Sequence, residues 1–390
     1  MNLSSWADRL LGLLGRETSG RRLIPEIDGV RFVAIAAVVY LHLWESFERS
    51  ADTVPDGFAF VERVLEQGFL GVQLFFVISG FILGLPFARQ HLARGRRISL
   101  RQYFARRVLR LEPPYLINLL LMTGVLVAID GRRLAEVLPN LFASMTYTHN
   151  VVFGGMSEIN FVAWSLEIEV QFYILAPLLA LVFLIRPPNL RRTVLLLAVL
   201  ASSLGSELLY PLASLPVRTI ASYLHYFLAG FLLVDVFLED WQERPRRGVA
   251  FDLVGFLAVA GLFTSGVLVP GLGQIPTPWL ALAVVIGAFR GRVLNRFYTH
   301  PWIYTIGGMC YTIYLYHAHI IGATGHRRLW VGDGLWPNLL ITFTVVPLIV
   351  VVVSATLFAL FEKPFMRRHW HREWWRRLRR AAVANPARAR

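Results

Sequence analysis

The segment 30–47 reads VRFVAIAAVVYLHLWESF, and this apolar stretch holds Arg31 at its start and His42 deep inside. At 3.6 residues per turn the two fall within about 20° of one helix face, ~16 Å apart along the axis. A guanidinium at one end could grip an anion, and an imidazole farther along could move a proton. Asp28, just before, is expected to cap the helix and to do nothing more. The competing structural account is a snorkelling arginine and a histidine bonded to a neighbouring helix.

A second group lies in NFVAWSLEIEVQFYILAPLL, 160–179, where Glu167 and Glu169 enter an apolar run. Two residues apart, they point about 160° away from each other, so one site can use only one of them. Both glutamates are expected at a depth similar to His42, which offers either a partner, and Glu169 has Gln171 and Tyr173 close behind it. A third group is RQYFARRVLRLEPPYLI, 101–117, with Arg107 and Arg110 on one helical face ahead of Pro113 and Pro114. Arginines three apart at a membrane mouth suit phosphate oxygens, although most arginines of 89–110 are expected only to hold that loop in place. A fourth is GMCYTIYLYHAHI, 308–320, where His317 and His319 lie on different helix faces and make a poor chelate, so a hydrogen-bonding or proton-handling role is expected. Gly68, Gly71, Gly80 and Gly84 line one helix and favour close helix approach, and Ser79 reads as a packing hydroxyl. His225 is read as structural. No nucleophile-elbow, phosphate-loop or HExxH pattern occurs, and no metal site is expected.

The elements that must position these groups follow from composition. The 390 residues are 56% hydrophobic and only 16% charged, with mean hydropathy +0.54. The apolar residues come in blocks long enough to span a bilayer. An all-α integral membrane protein with ten transmembrane helices is expected, at 30–47, 64–88, 113–129, 160–185, 193–210, 217–238, 250–269, 276–289, 301–322 and 337–361. The net charge of +14 comes from 38 arginines and one lysine. With the N-terminus placed in the cytoplasm, 32 of these 39 fall on inner segments, which puts both termini inside and argues against nucleic-acid binding. Cys310 is the single cysteine, so no internal disulfide forms. Residues 1–24 read as a cytoplasmic segment without signal-peptide features. Residues 367–390 read as a basic cytoplasmic tail, and the Arg- and Trp-rich stretch 363–380 as an interfacial helix.

The segments IDGVRFVAIAAVVYLH, GVQLFFVISGF, RRVLRLEPPY, WSLEIEVQFY, YTIYLYH and FEKPF follow one another in this order. The series resembles acyltransferase family 3, the integral-membrane O-acyltransferases, from about residue 25 to 366, which makes 25–366 the expected acyltransferase transmembrane domain. The resemblance implies transfer of an acyl group, with acetyl-CoA the expected acyl-CoA donor, onto a hydroxyl of a carbohydrate or glycolipid acceptor of the cell envelope, in a bacterial-type plasma membrane. It places the family's Arg-x10-His pair on Arg31 and His42, its Arg-x-x-Arg pair on Arg107 and Arg110, its acid on Glu169, its late histidine on His317, and its last motif on Glu362. It also implies a donor-nucleotide role for Arg31, Arg107 and Arg110, and catalysis by His42 with Glu169, either as general base or through a covalent acyl intermediate. Tyr173, Gln171 and His317 are candidates for contacting substrate and an oxyanion. Departures are Glu167, Val170 and Gln73, at positions that are commonly small, acidic and Asp in the family. The hydrolase-like outer domain of some members is not expected here, so the membrane part or another protein would deliver the acceptor. The alternative from another class is a transporter or flippase for a lipid-linked sugar, which would show inverted repeats; none is seen in the sequence.

Overall fold

The computed structural model describes residues 3–17, 23–50, 56–93, 95–209, 218–269, 275–324, 335–366 and 370. Among these every regular element is helical. In chain order the helices are α1 Leu3–Leu14, α2 Pro25–Ser50, α3 Ala59–Glu66, α4 Leu70–Leu92, α5 Leu100–Ala128, α6 Leu134–Met145, α7 His149–Phe153, α8 Trp164–Leu179, α9 Pro188–Leu209, α10 Leu224–Glu239, α11 Val249–Leu268, α12 Thr277–Arg290, α13 Val293–Tyr298, α14 Pro301–Gly308, α15 Cys310–Thr324, α16 Leu335–Leu340 and α17 Val346–Leu357.

Among the described residues, six helical segments are long and apolar enough to cross a membrane: Pro25–Arg49, Ala59–Leu92, Leu100–Ala128, Phe161–Leu184, Val249–Leu268 and Leu335–Met366. They coincide with six of the ten expected spans. The other four expected spans fall on α9, α10, α12 and the α14–α15 pair, which is interrupted at Met309. The chain is thus a multi-pass membrane protein. One expected boundary is wrong. A span was expected to begin at Pro113, but α5 runs unbroken from Leu100 through Pro113 and Pro114. Pro113 and Pro114 lack the N–H groups that would bond the Leu109 and Arg110 carbonyls, yet the helix continues through them; the Tyr311 hydroxyl ties α5 to α15 by donating to the nearby Leu111 carbonyl at 3.0 Å. From residue 367 on, the tail expected as an interfacial helix lies outside the described residues apart from Trp370.

Helix α10 is buried over nearly its whole length, from His225 to Phe237 with one half-buried exception. It packs against α4 and α9. Lipid offers no hydrophobic drive for such contacts, so close backbone approach and dispersion must supply it. Gly80 of α4 lets the helices meet: a Cβ there would stand 2.1 Å from the Phe227 carbonyl oxygen. Gly80→Ala is therefore expected to part α4 from α10 and abolish the monodisperse peak in detergent size-exclusion chromatography. Gly124→Ala, where a Cβ meets nothing within 4 Å, should leave that peak unchanged.

Helix α2 is gripped by α4, α14 and α15. Gly307 of α14 sits so close that a Cβ would clash with the Asp28 carbonyl oxygen. Near the start of α2, Lys363 Nζ donates to the carbonyls of Gly12 (3.0 Å) and Leu13 (2.7 Å). It thereby caps the C-terminus of α1 and ties the N-terminal segment to the end of the last span.

Candidate active site

The arginines come together. Arg31 of α2 and Arg107 and Arg110 of α5 line one cavity of about 120 Å³, with Glu169 and Tyr173 of α8 and Cys310, Tyr311 and Tyr314 of α15 on its other walls. Arg16, just after α1, Glu362, at the end of the last span, and Ser79 of α4 also line it. The cavity shares Arg16, Arg31, Arg107 and Arg110 with an open basin of about 1310 Å³, whose rim adds Arg89, Arg106, Arg244 and Arg247.

The cavity's charges are held in a definite order. Asp28 is buried, and its Oδ1 accepts from Arg31 Nη1 (2.5 Å) and Arg16 Nη1 (2.7 Å). The expectation that Asp28 merely caps α2 is thus corrected: one carboxylate sets two guanidinium groups side by side. Burial, and then the neighbouring Arg110, pull the Arg16 guanidinium down to about 10 against the opposing effect of Asp28. It remains charged at neutral pH. Glu362 Oε2 accepts from the backbone N–H (3.1 Å) and hydroxyl (2.5 Å) of Thr312. The Arg107 guanidinium lies over two rings, 5.8 Å from the centroid of Tyr103 and 5.7 Å from that of Tyr173. The Nε atoms of Arg16 and Arg107 are buried and find no hydrogen-bond partner among the described residues. A site this rich in desolvated N–H donors is suited to a polyanion.

Glu169 and Glu167 diverge as their spacing requires. Ser79 Oγ donates to Glu169 Oε1 at 2.8 Å, which holds Glu169 at the arginine-lined cavity. Ser79 is therefore more than a packing hydroxyl. Glu167 accepts from the Asn150 backbone N–H at 2.9 Å and pins the short helix α7. Gln171 faces neither cavity; its Oε1 accepts from the Ile220 backbone N–H at 2.8 Å.

His42 stands apart from the cavity, and Glu169 is not its hydrogen-bond partner. Its Nδ1 lies 2.9 Å from Oε2 of Glu45, one turn farther along α2. The pairing expected with Glu169 is replaced because the rise along α2 carries His42 well above Arg31, whereas Glu169 shares Arg31's cavity. His42 is flanked by Phe161, edge-on at 5.2 Å between centroids, and by His317 at 5.3 Å. His317 is fully buried, and its Nδ1 is 2.9 Å from both the Ile313 and Tyr314 carbonyls. Nδ1 therefore carries the proton and Nε2 is an acceptor, with no partner among the described residues. This suits His317 to receive a hydrogen bond and unsuits its neutral form to donate one to an oxyanion. His319 turns to another face and donates from Nε2 to the Ile159 carbonyl at 3.0 Å.

Tyr314 links the cavity wall to His317, whose Nδ1 bonds the Tyr314 carbonyl. It lines the cavity, its hydroxyl donates to the Val162 carbonyl, and Ser165 Oγ is hydrogen-bonded to it at 3.0 Å. His317 follows one turn later on the same helix. Among the described residues no group of three or more His, Cys, Asp or Glu side chains is placed to hold a metal ion.

Comparison with known proteins now bears on this geometry. The acyltransferase domain family matches residues 24–360. The chain belongs to acyltransferase family 3. Among its curated relatives, the peptidoglycan O-acetyltransferase OatA of Listeria monocytogenes is 29% identical over 331 residues, 78% of this chain and 50% of that protein. The O-acetyltransferase OatA of Staphylococcus aureus is 23% identical over 330 residues, 77% of this chain and 51% of that protein. The chain spans about half the length of these relatives. No solved structure matches it.

In this family 3 chain, the tertiary fold adds Arg16, Asp28, Glu45 and Tyr314 to the residues expected from sequence. Glu45 was open to discovery, since a carboxylate three residues after a histidine lies on the same helical face. Arg16 carries no local signal, because only the docking of α1 brings it to the cavity.

Proposed function

We propose that the chain is a ten-span O-acyltransferase of the bacterial plasma membrane, with both termini cytoplasmic. It takes an acyl group from acyl-CoA, with acetyl-CoA the expected donor, and passes it to a hydroxyl of a cell-wall glycan or related carbohydrate. The observation that carries this proposal is the convergence of Arg16, Arg31, Arg107 and Arg110 on one cavity that opens into an arginine-rimmed basin. CoA presents a diphosphate and a 3′-phosphate, and guanidinium forks bind phosphate oxygens in pairs. The basin is large enough for such a nucleotide, and the small cavity leads from it along α4, past Ile82, Ser79 and Phe75, as a path for the pantetheine arm. The bias of 32 of 39 basic residues to one side supports the orientation. The name of the Listeria relative, a peptidoglycan O-acetyltransferase, supports an envelope glycan as acceptor.

The step runs as follows. Tyr314 moves aside and the thioester reaches the level of His42. His42 takes the proton of the acceptor hydroxyl as its oxygen attacks the acyl carbon. The new C–O bond forms, the C–S bond breaks, and the CoA thiolate leaves with the proton returned by His42. His317 receives a hydrogen bond from the acceptor. Glu169 and Tyr173 act on the donor inside the cavity.

The test uses the purified chain in nanodiscs with acetyl-CoA and glycan fragments, following thiol release. Wild type is expected to release CoA in an acceptor-dependent way. A charge-assisted hydrogen bond contributes about 1.5–3 kcal/mol, so Arg107→Ala and Arg110→Ala should each raise the donor KM roughly 10- to 100-fold. Folded wild-type protein that neither binds nor consumes acyl-CoA would overturn the proposal and bring the transport alternative forward.

A further inference from the structure

A histidine that acts as a base needs one nitrogen kept free, and something must hold the proton on the other. In the function proposed above, on which this inference rests, His42 is that base. Two carboxylates are within reach of the argument. Glu169 is held by Ser79 among the arginines of the donor cavity, which His42 does not line. Glu45 stands with Oε2 2.9 Å from His42 Nδ1. An ionised carboxylate can only accept, so the proton sits on Nδ1 and the lone pair on Nε2.

We propose that Glu45 is the positioning residue of His42, holding the imidazole in the tautomer whose Nε2 takes the acceptor's proton. The pair is built into one helix three residues apart, so it stands ready before any donor or acceptor binds. The side chain of His42 is 14% exposed and that of Glu45 is 39% exposed. The imidazole is thus largely enclosed, while its carboxylate reaches toward the surface. Phe161 and His317 fix the ring from its other sides. His317 has its own Nδ1 proton tied to backbone carbonyls, so it does not compete for the His42 proton as a carboxylate would. The arrangement repeats the logic of a serine-protease triad, in which a carboxylate sets the tautomer and stabilises the imidazolium that forms.

The experiment pairs kinetics with nitrogen NMR on the full chain in nanodiscs, with 15N-labelled histidine and the His42 signal assigned by its loss in His42→Ala. In wild type, His42 is expected to show a protonated Nδ1 and a bare Nε2 in its neutral form. Glu45→Ala should mix the tautomers and lower kcat about 100-fold, with the donor KM changed less than about twofold. Glu45→Asp should recover part of kcat. Glu45→Gln, which keeps an acceptor without the charge, should recover the tautomer and less of the rate. A folded Glu45→Ala protein with wild-type kcat, or a wild-type His42 with bare Nδ1, overturns the proposal. If wild type consumes no acyl-CoA, the acyltransferase assignment fails instead, and the tautomer in the same sample still decides the Glu45–His42 pairing.

Discussion

His42→Ala is expected to lower acyl transfer by at least about 10³-fold, within the range a positioned general base contributes, while acyl-CoA still binds. The two halves of this result have separate causes. His42 lies outside the cavity lined by Arg31, Arg107 and Arg110, so its loss leaves the arginine contacts proposed for the donor phosphates in place. It does remove the imidazole between Phe161 and His317 that is proposed as the proton acceptor. Equilibrium binding of labelled acetyl-CoA and turnover by thiol release, measured on one folded preparation, separate the two. Glu169→Ala provides the contrast. Ser79 holds Glu169 at the arginine-lined cavity proposed for the donor, so the loss of Glu169 is expected to alter donor KM as well as kcat. Wild-type turnover by His42→Ala would move the base elsewhere, with His317 the first candidate.

Asp28→Ala is expected to be the most destabilising change in the site. Asp28 is 2% exposed and bonds both Arg16 and Arg31. Removing one partner of a buried ion pair costs about 3–5 kcal/mol, because the charge left behind is neither solvated nor paired. Here two guanidinium groups are left, with Arg107 and Arg110 lining the same cavity. Asp28→Asn keeps the volume and one acceptor and should fall between. Arg16→Ala should cost less than either, since Arg31 still pairs Asp28. The measurement is the thermal midpoint of each variant in detergent, with and without CoA. Because CoA phosphates would supply the missing anion, the ligand-induced rise should be larger for Asp28→Ala than for wild type. An unchanged midpoint for Asp28→Ala would show that the arginines do not depend on this carboxylate.

What lipid and water enforce locally is legible in the residues alone. Apolar blocks must be helices in a bilayer, so six of the expected spans coincide with helices of spanning length. Two residues' separation must send Glu167 and Glu169 to opposite faces, and the structure sends one to Asn150 and the other to Ser79. Three residues' separation must keep Arg107 and Arg110 on one face, and both line the cavity with Arg31. The ordered motifs also sufficed to identify the family.

The tertiary structure decided what depends on how one helix is set against another. Periodicity gives a side chain's azimuth on its own helix, but not the depth or rotation of the neighbouring helix. That is why Glu169, expected beside His42, sits with Ser79 and Arg31's cavity, and why Gln171 is spent on the Ile220 backbone. It is also why Arg16, from a segment with no site signature, shares Asp28 with Arg31 once Lys363 has fastened the end of α1. Proline statistics failed at Pro113 for the same reason: α5 continues because the surrounding bundle makes a broken helix more costly than two missing hydrogen bonds. Glu45 is the intermediate case. Its spacing puts it on the His42 face although no motif singles it out, and the fold sets it 2.9 Å from His42 Nδ1 while Ser79 holds Glu169.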